Sequence, residues 1–112
     1  MKTYTINNKI IYQKDYRIPG HMSILDYILM DNADEEIKNG EVTILVISLD
    51  EEIYEVNLIG AIIFEMVLDG KGEEEIYSTL KEKFNVENET LQVSIREFLE
   101  NMCKFNVIHE EV

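Results

Sequence analysis

The sequence predicts an α+β fold in which a three-stranded antiparallel sheet is followed by three helices. Residues 42–70 carry the clearest evidence, because strand-like patterns run directly into an amphipathic segment with helix start and stop signals. Two later segments repeat apolar residues at intervals of three and four, which is helical spacing. With 112 residues, 46% of them hydrophobic, one small domain with one core is expected.

The first half of the chain is expected to supply strands. Residues 24–30 and 42–49 are apolar runs of strand length and are predicted as the first two strands of the sheet. Residues 31–40 join them as a polar loop that ends in an Asn-Gly turn signal. An additional N-terminal strand is predicted over residues 5–13.

The third strand leads straight into the first helix. Tyr54 and Val56 alternate with the polar Glu55, which predicts a half-buried strand. Asn57 is a good N-cap for the following helix, and Gly70 suits the left-handed conformation that often ends one.

The second and third helices follow from periodicity. Residues 73–84 begin with glutamates and end with lysines, which complements the helix dipole. Residues 90–105 carry a longer apolar stripe. The apolar faces consist of Ile76, Tyr77, Leu80 and Phe84 in the second helix, and of Leu91, Ile95, Phe98, Leu99 and Met102 in the third.

An ordered set of motifs over residues 24–108 accompanies these elements. The motifs are an aromatic residue before an aliphatic-Asn pair (Tyr54, Val56-Asn57), a first helix with small residues that ends in Asp-Gly (Gly60-Ala61, Asp69-Gly70), an acidic-Ile helix (Glu75-Ile76, Leu80, Phe84) and a late Phe-Leu pair (Phe98-Leu99, Met102). The set resembles the PqqD-like family of peptide-binding domains, also called RiPP recognition elements. The resemblance implies a winged-helix-like arrangement. Gly72, Ser94 and Asn106 depart from the family pattern, the last mildly, because Asn tolerates the left-handed region.

The resemblance also implies where a peptide binds. In the family, the leader of a ribosomally made precursor peptide adds as a strand to the edge of the third strand and lies against the third helix. Arg96 is one of only six basic residues in residues 23–112 and is a candidate partner for an acidic leader residue. The expected peptide-binding residues are Ile53, Tyr54, Glu55 and Val56 of the strand, and Leu91, Ile95, Arg96 and Leu99 of the helix. The helix aliphatics have an alternative interpretation, in which they only complete the core.

The function implied is that of a non-catalytic peptide chaperone that presents the leader to a separate modifying enzyme, either a radical SAM maturase or a leader protease. Two alternatives stay open. One is a small acidic winged-helix regulator that acts through a protein partner, and the other is an accessory subunit that completes an enzyme's active site. A homodimer through the edge strand or the N-terminal arm is a further expectation.

Charge separates the chain into two parts. Residues 1–22 carry four basic residues against one acidic residue, a net charge of +3, whereas residues 23–112 carry six against 22, a net charge of −16. Such an acidic body repels phosphate backbones, so we expect no nucleic-acid binding. A basic peptide is a more natural partner.

The basic N-terminal arm, residues 1–22, is expected to dock as an added strand beside the recognition domain of residues 23–112. Gly20-His21-Met22 is also what remains when a protease-cleaved tag is joined to a coding start, so the arm has two interpretations, native or fused. Tyr16-Arg-Ile-Pro19 resembles the Tyr-x-x-Pro element of lasso-peptide leaders, although the family's following Leu is missing.

No local signature of a catalytic, metal or nucleotide site occurs in the sequence, and neither an enzymatic activity nor a cofactor is expected. His21 and His109 fall in predicted loop or tail segments, and Cys103 falls in a helix without a neighbouring His. A single cysteine fits a reducing compartment. No apolar run is long enough for a membrane span, and the N-terminus lacks a signal-peptide core. A cytoplasmic protein without membrane contact is therefore predicted.

Overall fold

The computed structural model describes residues 2–111. The elements in chain order are β1 (Tyr4–Ile6), β2 (Ile11–Lys14), α1 (Ile24–Ile28), α2 (Glu35–Lys38), β3 (Leu45–Leu49), β4 (Glu52–Val56), α3 (Leu58–Leu68), α4 (Glu73–Lys83), α5 (Asn88–Lys104) and β5 (Ile108–Glu110). Strands β2, β3 and β4 form an antiparallel sheet in that order, and β1 pairs antiparallel with β5. The predicted α+β class, with a three-stranded sheet followed by three helices, is confirmed.

Two compact units make up the chain. The central unit consists of residues 9–65, and the terminal unit consists of residues 1–8 together with residues 66–112. The predicted division at residues 22 and 23 stays a prediction.

The central unit is built on the three-stranded sheet. Along β3, buried and half-exposed residues alternate, as expected for a strand with one face on a core. Ile47 is fully buried on the inner face, opposite Tyr12 of β2 and Tyr54 of β4. The ring of Tyr12 meets that of Phe64 edge to face, with centroids 5.3 Å apart, so the first part of α3 lies against the inner face.

The prediction of a strand over residues 24–30 is wrong, because this segment forms the short helix α1. Ser23 Oγ accepts a hydrogen bond from the Asp26 backbone N–H, which caps the helix, and Ile24 and Ile28 are buried at a spacing of four residues. The first strand of the sheet is instead β2, which pairs with β3 from Ile11 opposite Ser48 onward. The additional strand predicted over residues 5–13 corresponds to β1 and the first part of β2.

Within the central unit, charged side chains at the end of β2 and in the segment after it form ion pairs with α3 and with the cap of α2. Lys14 Nζ lies 3.3 Å from the Glu65 carboxylate, which also accepts a hydrogen bond from the Ile24 N–H. Arg17 lies between Asp15 and Asp34, with N–O distances of 3.0 and 3.3 Å. The hydrogen bonds from Arg17 lower the pKa of Asp15 below its usual value.

The helix termini follow the expected chemistry. Asn57 Oδ1 accepts a hydrogen bond from the Gly60 N–H at 2.8 Å, and Gly70 has the left-handed φ of 84° that its position after α3 requires. Asn106, after α5, has a φ of 64°, which confirms that Asn serves there in place of Gly.

The terminal unit contains the contacts of α4 with α5, and β5 returns from α5 to pair with β1. Its apolar centre includes Ile76, Leu80, Ile95, Leu99 and Val107, all essentially inaccessible to solvent. Tyr4 of β1 is also buried, and this desolvation, with the nearby carboxylates of Glu73 and Glu110, raises the pKa of the phenol to about 12.

Among residues 2–111, none of the helices combines the length and the apolar character that crossing a bilayer requires.

Candidate functional site

Strand β4 lies at the edge of the three-stranded sheet. It pairs with β3 along one side, with Tyr54 opposite Ile47 and Glu55 opposite Val46, and within residues 2–111 no further strand of the sheet follows it. An edge strand offers backbone donors and acceptors to an added chain. The sequence prediction that the third strand of the sheet is exposed at an edge is confirmed.

The hairpin geometry decides which β4 backbone groups face outward. Only Asp50 and Glu51 separate the paired Leu49 and Glu52, and Asp50 has the positive φ of 55° that tight hairpin turns use. The pair that flanks a two-residue turn is a hydrogen-bonded pair, and such pairs alternate along an antiparallel ladder. The amides of Glu52, Tyr54 and Val56 therefore point towards β3. Those of Ile53 and Glu55 point towards the open edge.

The side chains of β4 divide between the two faces of the sheet. Val56 is 5% exposed and Tyr54 is half-buried on the inner face, whereas Ile53 on the opposite face is 67% exposed. Glu55 is also exposed, and its carboxylate accepts a hydrogen bond from Thr43 Oγ1 at 3.4 Å. The edge thus combines outward backbone groups with one apolar and one acidic side chain on the outer face.

The predicted peptide-binding residues of the third helix belong to α5 in the terminal unit, and the structure separates them into buried and exposed residues. Leu91, Ile95 and Leu99 are buried, with exposures of 4%, 1% and 0%. Arg96 is exposed over 63% of its side chain, and its Nε lies 3.8 Å from Glu73 of α4. A pair this long and this exposed is weak, so the guanidinium remains available to a stronger anionic partner.

A cavity of about 360 Å³ lies beside Arg96, within the terminal unit. Two of its lining residues, Ile95 and Arg96, are among the predicted peptide-binding residues. The others could not be predicted, because no sequence signal places the N-terminal arm against α4. The signal that was present is the spacing of four between Glu73 and Tyr77 and between Gln92 and Arg96, which puts each pair on one helix face. The lining consists of Lys2, Glu73, Glu74, Tyr77, Gln92, Ile95 and Arg96.

The arm's Tyr-x-x-Pro element lies in the turn after β2 and is not part of a strand. Tyr16 is 87% exposed, with its ring 5.6 Å from the guanidinium carbon of Arg17, whereas Ile18 is buried. This element is therefore not paired with the edge of β4.

The side chains that could react are dispersed. Within residues 2–111, no group of three or more His, Cys, Asp or Glu side chains is arranged to hold a metal ion. Cys103 is half-buried, and desolvation raises the pKa of its thiol, which disfavours the nucleophilic thiolate.

These features define the class of the protein: a small acidic α+β domain that presents the free edge of an antiparallel sheet. The chain belongs to the family described as coenzyme PQQ synthesis protein D (PqqD), whose family model matches residues 27–108. That match begins after the arm and extends to the start of β5. No curated protein and no solved structure matches the chain.

Proposed function

We propose that this protein is a non-catalytic peptide chaperone. It binds the leader of a ribosomally synthesised, post-translationally modified precursor peptide and presents it to a separate modifying enzyme, a radical SAM maturase or a leader protease. Family membership supports the general role. The observation that carries the proposal is the open edge of β4.

Strand addition explains how such an edge holds a peptide. An extended leader beside β4 exchanges backbone hydrogen bonds with Ile53 and Glu55, whose amides face away from β3. The hydrogen bonds carry the affinity, and alternate side chains of the leader carry the specificity. The backbone of β4 thus selects an extended chain, largely independent of its sequence.

We propose that α5 side chains, which the resemblance to the family implies, select the sequence of the leader. Of the four α5 residues, Arg96 is exposed, and we propose that it pairs with an acidic residue of the leader in place of its long contact with Glu73. Leu91, Ile95 and Leu99 are proposed as apolar contacts of the leader on α5, where exposures of 4% or less leave a peptide little of their surface to touch.

The chaperone acts without a reaction of its own. By holding the leader and the enzyme together, it raises the effective concentration of the substrate at the active site. The net charge of −13 favours leaders that also carry basic residues.

Titration of the purified protein with synthetic leaders, encoded next to its gene, tests the proposal. We expect 1:1 binding with a Kd of about 1 μM or below, on the order of −8 kcal/mol, and no change in the mass of the peptide. No binding at high micromolar concentration, or turnover of the peptide by this chain alone, would contradict it.

A further inference from the structure

The outer face of the three-stranded sheet carries an apolar row of side chains, whereas the leader-binding proposal uses backbone groups at the edge of β4. In the sheet register, Ile11 of β2 lies opposite Ser48 of β3, which lies opposite Ile53 of β4. The side chains of such cross-strand neighbours share one face. Ile11 is 73% exposed and Ile53 is 67% exposed. We call Ile11, Ser48 and Ile53 the outer row.

The isoleucines of the outer row lie outside the buried core of the sheet. The inner face buries Ile47 and the other core residues of the sheet, and the outer face of an antiparallel sheet is normally polar. Two isoleucines exposed to this degree on strands separated by two strand spacings, ~10 Å, keep apolar surface in water, which is unfavourable. Their common row distinguishes them from isolated surface residues.

The row is too small to hold a protein by itself. Three short strands present a face of ~200 Å², judged from strand spacing and rise. A stable interface buries about 800 Å² on each partner. A leader added beside β4 extends the sheet by a fourth strand, and every second leader side chain then continues the outer row. The bound leader therefore completes the surface.

The charges around the outer row indicate which kind of partner binds there: a second copy, a membrane or another protein. Asp50, Glu51 and Glu52 are exposed at the Ile53 end of the row, with Glu55 on the same face. A second copy would bring the same carboxylates against these, on a chain of net charge −13. Anionic membranes are repelled for the same reason. A protein surface with apolar side chains and a basic rim is complementary.

The geometry points to the outer row, together with the bound leader, as the docking surface for the modifying enzyme. This inference rests on the proposed function. The enzyme contacts Ile11 and Ile53 through an apolar patch bordered by lysine or arginine, and it reads the outward side chains of the leader at the same time. Its affinity for the protein–leader complex therefore exceeds its affinity for the protein alone.

The substitution Ile11→Thr tests the inference, because Ile11 belongs to the outer row but lies on β2, away from the leader edge of β4. Threonine keeps the strand preference and the backbone amide, so the sheet and the leader edge are retained. The probes are the synthetic leader and the purified modifying enzyme encoded beside this gene, each titrated into the protein. We expect Ile11→Thr to bind the leader within twofold of the wild type and to bind the enzyme about tenfold more weakly.

Val93→Thr on α5 is the matched control, since Val93 is a 52% exposed aliphatic residue in the terminal unit. It is expected to change neither affinity. Thermal melting checks that each variant is folded, and Ser48→Lys, which places a positive charge in the outer row, serves if Ile11→Thr is not folded.

Each outcome separates the two proposals. Unchanged enzyme affinity in folded Ile11→Thr protein overturns the docking surface and leaves the leader proposal intact. Wild-type protein that binds no leader overturns the proposed function, and the docking surface with it. A dimer in sedimentation that Ile11→Thr abolishes assigns the row to a second copy and overturns the inference.

Discussion

Glu55→Pro tests the edge of β4 most directly, because it removes one backbone donor and little else. The amide of Glu55 faces the open side of the sheet, and its side chain is exposed. Edge strands tolerate proline at positions whose amide faces away from the neighbouring strand. The sheet should therefore keep its ladder to β3, and the variant should fold.

The size of the effect follows from the hydrogen bonds at the edge. Proline removes one hydrogen bond to the leader, a net loss of about 1 kcal/mol, and leaves a leader carbonyl without its donor, which costs at least about another 1 kcal/mol. A loss of about 2 kcal/mol weakens the Kd roughly 30-fold. Fluorescence anisotropy with a labelled leader measures this range.

Two further substitutions serve as controls. Glu55→Ala keeps the amide and loses only the solvated contact with Thr43, so it should bind nearly as well as the wild type. Tyr54→Pro removes an amide that points towards β3, so it should destabilise the domain by about 3 kcal/mol in urea unfolding. A folded Glu55→Pro protein with unchanged leader affinity would refute the assignment of this edge.

Three other predictions concern the fold. Gly70→Ala should destabilise the protein by about 1 kcal/mol in urea unfolding because φ is 84°, whereas Gly20→Ala, with no neighbour within 4 Å of the added methyl group, should be neutral. In ultraviolet titration, one tyrosine should ionise near pH 12, and Tyr4→Phe should remove this transition. Because the phenol of the unfolded chain loses its proton near pH 10, the stability of the wild type should fall from pH 10 to pH 12. In Arg17→Met, carboxyl NMR should find the pKa of Asp15 closer to its usual value. The wild type should lose the stability that this ion pair contributes as the pH falls below about 4, and the variant should lack this loss.

The last three helices could be predicted from sequence because their local signals agree with their packing. Asn57 and Gly70 mark the two ends of α3, and every residue that the structure buries in α4 and α5 belongs to the predicted apolar stripes. Residues 24–30 are predicted as a strand but form a helix, because so short an apolar run has no periodicity that distinguishes a helix from a strand. Ser23 was the overlooked cap signal.

The candidate site could be predicted only in part, for a related reason. The edge strand is local in sequence, and its residues were identified. The outer row joins residues from three strands, and it depends on a register in which β2 replaces the predicted first strand. Because the first strand of the sheet was predicted over the wrong residues, the sequence could not place Ile11 in the same cross-strand row as Ile53.

The pairing of β1 with β5 affects the order in which parts of the protein fold during synthesis. The contact between Thr5 and His109 spans 104 positions in the chain, and β1 leaves the ribosome first. The central unit, residues 9–65, is continuous in sequence and is fully synthesised while β5 does not yet exist. Contacts of such long range also close slowly. We expect a nascent chain in which residues 9–65 gain protection from proteases early, while β1 stays unpaired until β5 has left the ribosome.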